Sequence, residues 1–115
     1  MQKYQKLRNS SDFDSVKKYG TGSADFNLVM VAMDQAAPGG YKGSRLGFIV
    51  SKRIGGATVR NKYKRRLKES ANSIPIIDGM DIVFIARNGI LSSDFHGISS
   101  SMYKLLANAS LISTE

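Results

Sequence analysis

Apolar positions along the chain follow two spacings, that of amphipathic helices and that of buried strands. Helical spacing predicts three helices, at residues 10–19, 57–71 and about 92–108. Nearly continuous apolar runs predict three strands, at residues 26–33, 46–50 and 80–87. Pro and Gly predict a loop at residues 36–40, and antiparallel pairing of the first two strands through it is the simplest topology. No linker divides residues 1–115, so we expect a single domain.

The helices carry signals of their own. Ser10 or Ser11 is a candidate N-cap of the first helix. In the second, Val59, Tyr63 and Leu67 recur at i, i+4 and i+8, which predicts a narrow apolar stripe docked on the sheet. The last helix has apolar residues at helical spacing, namely Phe95, Ile98, Met102, Leu105 and Leu106.

Composition excludes several classes of protein. The chain has 115 residues, 42% of them hydrophobic, and no cysteine, which excludes disulfides, cysteine-ligated zinc and thiol catalysis. The longest strongly apolar run, residues 82–86, is too short to cross a bilayer, and the amino terminus lacks the apolar stretch of a secretory signal. We therefore expect a soluble cytoplasmic protein.

Positive charge is concentrated in one segment. Between Asp34 and Glu69 there is no acidic residue, yet the basic residues there are Lys42, Arg45, Lys52, Arg53, Arg60, Lys62, Lys64, Arg65, Arg66 and Lys68. The chain has 17 basic and 9 acidic residues and a net charge of +8, so the segment holds the whole excess. Such a segment favours a polyanionic partner, because neutralised phosphates release counterions.

Two interpretations of the basic helix stand side by side. A basic helix face is often simply solvated. Here, however, like charges at Arg60, Lys64 and Lys68 repel at i, i+4 spacing, which costs a few tenths of a kcal/mol per pair and favours compensation by phosphates. Asn61 is either a neutral surface residue or a hydrogen-bonding group for a 2′-hydroxyl, a base edge or a metal-bound water. Lys52 and Arg53 either face solvent or bind phosphate beside the helix N-terminus.

Signals for a protein active site are weak. No Ser/His/Asp constellation or His-metal cluster can be assembled around His96, the one histidine, so we interpret it as a packing or surface residue. Asp78 and Asp81 are explained by turn and cap chemistry before the third strand. Phe13 is either a core residue or a platform on which an unpaired base stacks.

Residues 45–69 resemble the signature of the bacterial ribonuclease P protein component. The pattern is an Arg-x-Gly strand, then Ser-Lys-basic-x-Gly, then Arg-Asn-basic-x-x-basic at the head of a helix. Weaker similarity extends through Phe13 and Gly20 on one side and residues 81–87 on the other. The resemblance implies an α+β fold: a small α/β sandwich with a mixed sheet, similar to the second domain of a ribosomal protein. It also implies a left-handed βαβ crossover, against the usual right-handed rule.

The resemblance also implies a function. Such proteins bind a catalytic RNA that removes the 5′ leader from precursor tRNA, with magnesium held mainly by the RNA, in a heterodimeric protein–RNA holoenzyme. The protein would bind the leader, screen charge and help to retain magnesium, while catalysis resides in the RNA. The residues implied to bind RNA are Arg45, Lys52, Arg53, Arg60, Asn61, Lys62, Lys64, Arg65, Arg66 and Lys68. Those implied to line the leader cleft are Phe13, Lys17, Val31 and Ser51.

This chain departs from the family pattern at three positions. Lys62 stands where the family usually has arginine, which replaces a bidentate phosphate contact by a point charge. Lys17 and Val31 occupy cleft positions where relatives often have aromatic residues, although Lys17 would instead contact leader phosphates. Two other functions compete: a structural RNA-binding protein of the ribosome, and a cationic membrane-surface or DNA-binding domain. The narrow apolar stripe argues against membrane insertion.

Overall fold

The computed structural model describes residues 4–35 and 43–113. The predicted loop at residues 36–40 and the basic residue Lys42 lie outside these ranges. The strands are β1 (Gln5–Lys6), β2 (Thr21–Ala24), β3 (Leu28–Asp34), β4 (Arg45–Ile49) and β5 (Met80–Ala86). The α-helices are α1 (Ser10–Tyr19), α2 (Ala57–Asn72) and α3 (Phe95–Asn108), and a 3-10 helix spans Asn88–Ser92. All three predicted helices and all three predicted strands are present.

The strands form one mixed sheet in the order β1-β4-β5-β3-β2. β4 and β5 are parallel and α2 connects them, whereas β3 runs antiparallel to β5. The predicted pairing of β3 with β4 is therefore wrong, because β5 inserts between them and pairs with both. The α+β class and mixed sheet are confirmed, while the left-handed crossover stays a prediction from the resemblance.

Alternation along the strands creates two apolar faces. One face, with Met30, Ile82 and Phe84 among its residues, packs beneath α2 and α3 in the larger core. The other, with Val31 and Val83 at its centre, packs beneath α1 together with Val16, which is fully buried. Of the described helices, α1 is the one that packs on this second face, where Ile49 and Ile85 are only partly buried.

A tight turn joins β2 to β3 and corrects the predicted start of the strand. The Asp25 carboxylate accepts hydrogen bonds from the backbone N–H groups of Asn27 and Leu28, at 2.8 and 2.9 Å. Phe26 therefore lies at the tip of a turn, not in a strand, and it is 70% exposed. The short β2 strand went unpredicted because its sequence, Thr-Gly-Ser-Ala, carries no apolar signal and every residue is exposed.

The helices match their predicted positions better than their predicted details. In α2, Tyr63 and Leu67 are buried as expected. Val59, in the first turn of the helix, is 37% exposed, and Tyr63 is the first buried residue of α2. In α3, Phe95 is likewise 40% exposed at the first turn. The N-cap of α1 is Asn9, not Ser10 or Ser11, and its side chain makes no capping hydrogen bond.

Within the described ranges, none of the helices combines the length and apolar character needed to span a membrane. His96 is exposed on α3, consistent with a surface residue.

Tyr4 helps to join the amino-terminal segment to α2. Its hydroxyl donates to the Lys68 carbonyl at 3.4 Å, and burial raises the pKa of this hydroxyl.

Candidate RNA interface

The start of α2 presents free backbone N–H groups. Gly56 is the N-cap, no side chain caps the helix, and its first turn has no acidic residue. The preceding turn is closed by a 3.0 Å hydrogen bond from the Ile54 N–H to the Ser51 carbonyl, and Ile54 is buried. The buried anchor leaves Lys52 and Arg53 exposed beside the helix N-terminus. Uncapped N–H groups and the helix dipole favour an anion here.

All predicted RNA-facing residues except Arg45 lie on α2 or on this turn. Asn61, Lys62 and Arg65 are exposed, and the half-buried basic residues are Arg60, Lys64, Arg66 and Lys68. Across the described parts of the chain, no ion pair involves a cation of α2. The repulsion expected between these like charges is therefore not offset by carboxylates of the described residues.

Three of the α2 cations have distinctive surroundings. The Arg66 guanidinium lies 5.5 Å and the Lys62 ammonium 5.7 Å from the centre of the Tyr63 ring, on which both can make cation–π contacts. The Nε of Arg60 is buried and has no hydrogen-bond partner among the described residues. A buried donor without a partner costs free energy.

One ridge of α2 faces a cleft that it shares with α1. Lys64 and Lys68 line this cleft, whose volume is about 160 Å³, together with Phe13 of α1 and Phe48 of β4. Among the described residues, β1 pairs with β4 at Arg45 and Leu46, and no described strand pairs with this edge of β4 beyond that point. This edge brings the cationic ridge and the predicted leader-binding residue Phe13 to one surface.

Phe13 is half-buried, and its position depends on a glycine. A Cβ atom at Gly47 would lie about 2.5 Å from the Phe13 ring, so the ring packs directly against the β4 backbone at this position. Its outer side lines a second cleft of about 340 Å³ with Lys17 and Ile49. The structure thus combines the two interpretations of Phe13, as part of the core and as an accessible aromatic surface.

Two of the other predicted leader-cleft residues differ in accessibility. Ser51 is exposed at the end of β4. Val31, in contrast, is only 9% exposed, because the end of α1 at Gly20 lies directly over it. This burial argues against direct contact between Val31 and a nucleotide, and its place in the leader cleft stays a prediction. Lys17 is exposed and its only close carboxylate among the described residues is that of Asp14, at 4.0 Å.

Arg45 also differs from its predicted role. Its Nε and Nη2 donate to the two oxygens of Asp81 at 2.9 and 2.6 Å, and its Nη1 donates to Asp12 at 3.3 Å. The side chain of Arg45 is 14% exposed and that of Asp81 is 3% exposed. The guanidinium is engaged by protein carboxylates, which favours a structural role over RNA binding. The turn-and-cap explanation of Asp81 is likewise replaced by this ion pair.

A third cleft contains residues that the sequence analysis missed. It has a volume of about 700 Å³ and lies where β4 and β5 end, between Arg53, Arg87 and Phe26. The sequence does contain a signal for this cleft. Asp25-Phe26-Asn27 is typical of a turn, and reading it so would have placed the aromatic residue at the tip of that turn.

The α2 surface does not fit a magnesium ion held by the protein alone. Magnesium sites in proteins use carboxylates, and residues 57–68 have none. Within residues 4–35 and 43–113, no group of three or more His, Cys, Asp or Glu residues is placed to hold a metal ion. Asn61 is the one amide side chain among the cations of that stretch of α2.

Known sequences and structures resemble the chain over nearly its whole length. A family model described as Ribonuclease P matches residues 1–110. The ribonuclease P protein component of Caldanaerobacter subterraneus subsp. tengcongensis is 38% identical over 112 residues, 96% of this chain and 93% of that protein. The corresponding protein of Alkaliphilus oremlandii is 33% identical over 99% of this chain and 98% of that protein.

Solved structures agree with the sequence comparison. The RNase P protein of Staphylococcus aureus superposes with a TM-score of 0.83 at 27% identity. The superposition covers 96% of this chain and 100% of the other. The RNase P protein of Thermotoga maritima superposes with a TM-score of 0.77 at 30% identity, covering 90% of this chain and 96% of the other. The chain therefore belongs to the ribonuclease P protein family.

Proposed function

We propose that this protein is the RNA-binding subunit of a ribonuclease P, in which a catalytic RNA removes the 5′ leader of precursor tRNA. The observation that carries the proposal is the set of cations on α2 and its preceding turn, which form no ion pair with the described carboxylates. They form a rigid surface, because Tyr63 and Leu67 bury the opposite side of the helix. Such a surface binds phosphates with little loss of conformational entropy.

The catalytic RNA is the proposed partner of the α2 surface. The residues proposed to face it are Lys52, Arg53, Arg60, Asn61, Lys62, Lys64, Arg65, Arg66 and Lys68. Arg side chains bind phosphate in a bidentate manner, whereas Lys62 contributes a point charge. We place the chemical step in the RNA, and the protein reduces repulsion between the catalytic RNA and its substrate.

The precursor tRNA leader is the proposed partner of the clefts beside α1. Phe13 offers an aromatic surface and Lys17 a cation. Ser51 adds an exposed hydroxyl at the end of β4, where it lines the third cleft. An unpaired leader nucleotide has a free base that can stack on Phe13. Both RNA partners are made in the bacterial cytoplasm, so we expect the protein to work there.

Magnesium enters this proposal only as an ion held mainly by the RNA. The donor groups of α2 do not form a carboxylate site, so we assign it no magnesium ligand. We propose instead that the protein lowers the magnesium requirement, because its cations replace part of the counterion charge around the RNA.

Reconstitution tests the function. Catalytic RNA transcribed in vitro is assayed for leader removal at low magnesium, with and without the protein. The proposal predicts that the protein restores cleavage and that the protein alone cleaves nothing. Cleavage by nucleotide-free protein, or no response of the RNA to the protein, would contradict it. The second result would favour a structural RNA-binding role, as in a ribosomal protein.

A further inference from the structure

An exposed aromatic residue stands in the third cleft, outside the roles assigned above. Phe26 is 70% exposed at the tip of the β2–β3 turn. Single exposed apolar residues are common, so exposure alone indicates nothing. What matters is how the ring is held and which groups surround it.

The backbone that carries Phe26 is held by several hydrogen bonds. The Arg87 guanidinium donates to the Asp25 carbonyl at 2.8 Å, and the Arg87 N–H donates to the Asn27 carbonyl at 2.9 Å. The buried side chain of Asn27 is fixed in turn by Ser93 and Ser101, both at 2.7 Å. The turn is thus anchored to β5 and α3, which orders Phe26 before any ligand binds.

A glycine lies against the ring. A Cβ atom at Gly89 would lie 2.7 Å from two carbons of the Phe26 ring. The Gly89 backbone therefore supports the ring on one side, while the remaining surface faces solvent. A phenylalanine has few rotatable bonds, so immobilising a partner on it costs little side-chain entropy.

The groups around Phe26 suit a nucleotide. Arg53 follows β4, Arg87 follows β5, and both line the cleft with the amide of Asn88. None of the described residues that line it is acidic. An aromatic face, two guanidinium groups and an amide can respectively stack on a base, bind phosphate and hydrogen-bond a base edge.

The third cleft continues the surface proposed for the leader. Ile85 lines it and pairs across the sheet with Ile49. Ile49 in turn lines the cleft of Phe13 and Lys17. Two half-buried isoleucines therefore connect the Phe13 surface to the Phe26 surface. A single strand of RNA, with bases free to stack, fits such a path, whereas a duplex keeps its bases stacked internally.

We propose that Phe26 is a second stacking platform for the precursor tRNA leader, with Arg87 and Arg53 binding the adjoining phosphates. The inference rests on the proposed function, since it requires that this protein binds a leader. Beside Phe13, neither Lys17 nor the buried Val31 offers an aromatic ring to the leader. Phe26 on the β2–β3 turn would supply that aromatic contact. Arg53, which the proposed function places on the surface facing the catalytic RNA, would then lie where that surface meets the substrate.

Abasic scanning of the leader tests this proposal in the assembled holoenzyme. Precursor tRNAs that lack one leader base each are measured for affinity with the wild-type protein, Phe26→Ala and Phe13→Ala. At one position, loss of the base should weaken wild-type binding by about tenfold and cause no further loss in Phe26→Ala. That position should differ from the one coupled to Phe13, and Phe26→Trp should retain wild-type behaviour there.

Tyr19→Ala is the matched control. Tyr19 is 69% exposed, and it lines a different cleft, with Met30 and Leu111. It should behave as the wild type at every leader position.

Three results would overturn the proposal. If no leader position is coupled to Phe26 while the holoenzyme still cleaves precursor tRNA, the platform is absent and the proposed function stands. If Phe26→Ala weakens catalytic RNA binding, or mature tRNA and precursor equally, the cleft does not serve the leader. If the catalytic RNA shows no response to the wild-type protein, the proposed function fails together with this inference.

Discussion

Arg45 and Asp81 form a bidentate ion pair across neighbouring parallel strands, with donor–acceptor distances of 2.9 and 2.6 Å. The two residues are directly opposed in the register of β4 and β5. A third distance, 3.3 Å to Asp12, connects the pair to α1. The ion pair therefore fixes the helix that carries Phe13 relative to the sheet.

Replacing Arg45 tests this structural role. Arg45→Ala leaves the Asp81 carboxylate buried without its partner, and we expect a loss of about 3–5 kcal/mol in the free energy of unfolding. Urea denaturation measures it. Lys17→Ala is the control, because the Lys17–Asp14 pair is exposed and its removal should cost less than about 1 kcal/mol. Unchanged stability of Arg45→Ala with weakened RNA binding would return Arg45 to the interface.

The elements could be predicted from the sequence more fully than their arrangement. Apolar spacing locates α1, α2, α3, β3, β4 and β5 because each buries a continuous face. It cannot show that β5 inserts between β3 and β4, since that choice depends on packing between distant segments. The exposed β2 strand has no apolar pattern to detect, and the turn at Asp25 was obscured by the apolar Phe26 beside it.

The Phe13 ring requires a glycine at position 47. Gly47→Ala would place a Cβ about 2.5 Å from the ring and 3.3 Å from Leu7, so the ring must move. We expect a destabilisation of about 1–3 kcal/mol, as for other overpacked cores. In a Phe13→Ala background the same substitution should cost less stability. Urea denaturation of the wild type, the two single variants and the double variant gives the coupling energy between positions 13 and 47. Additive effects would show that the two residues do not share this contact.

Phe13 should also matter for one substrate form more than another. Phe13→Ala removes the aromatic surface beside Lys17, and we expect precursor tRNA to bind the holoenzyme roughly tenfold more weakly, with mature tRNA unaffected. Because Phe13 is half-buried, Phe13→Leu checks whether apolar volume alone preserves binding. Equal losses for precursor and mature tRNA would identify Phe13 as purely structural.

Residues of the candidate site could be predicted where neighbouring positions in the sequence indicate their role. They could not be predicted where their role depends on how distant segments pack together. Charge density alone identifies the α2 cations, because the helix places them without tertiary information. Arg45 carries the same charge, but its carboxylate partners come from α1 and β5, so only the fold reveals its role. Val31 is covered by the end of α1, and Phe26 meets Arg53 and Arg87 only after β4 and β5 align.

The central claim is that the cations of α2 neutralise phosphates of the catalytic RNA. The salt dependence of catalytic RNA binding tests this claim most directly. If about six phosphates are neutralised, affinity should fall about a thousandfold between 50 and 200 mM salt. Arg65→Glu should weaken binding and lower the logarithmic slope by about 1, with stability unchanged because Arg65 is exposed. Lys104→Glu makes the same charge reversal on an exposed position of α3 and should leave affinity and slope near wild type. Equal effects of the two substitutions, or a wild-type affinity that does not respond to salt, would contradict the account.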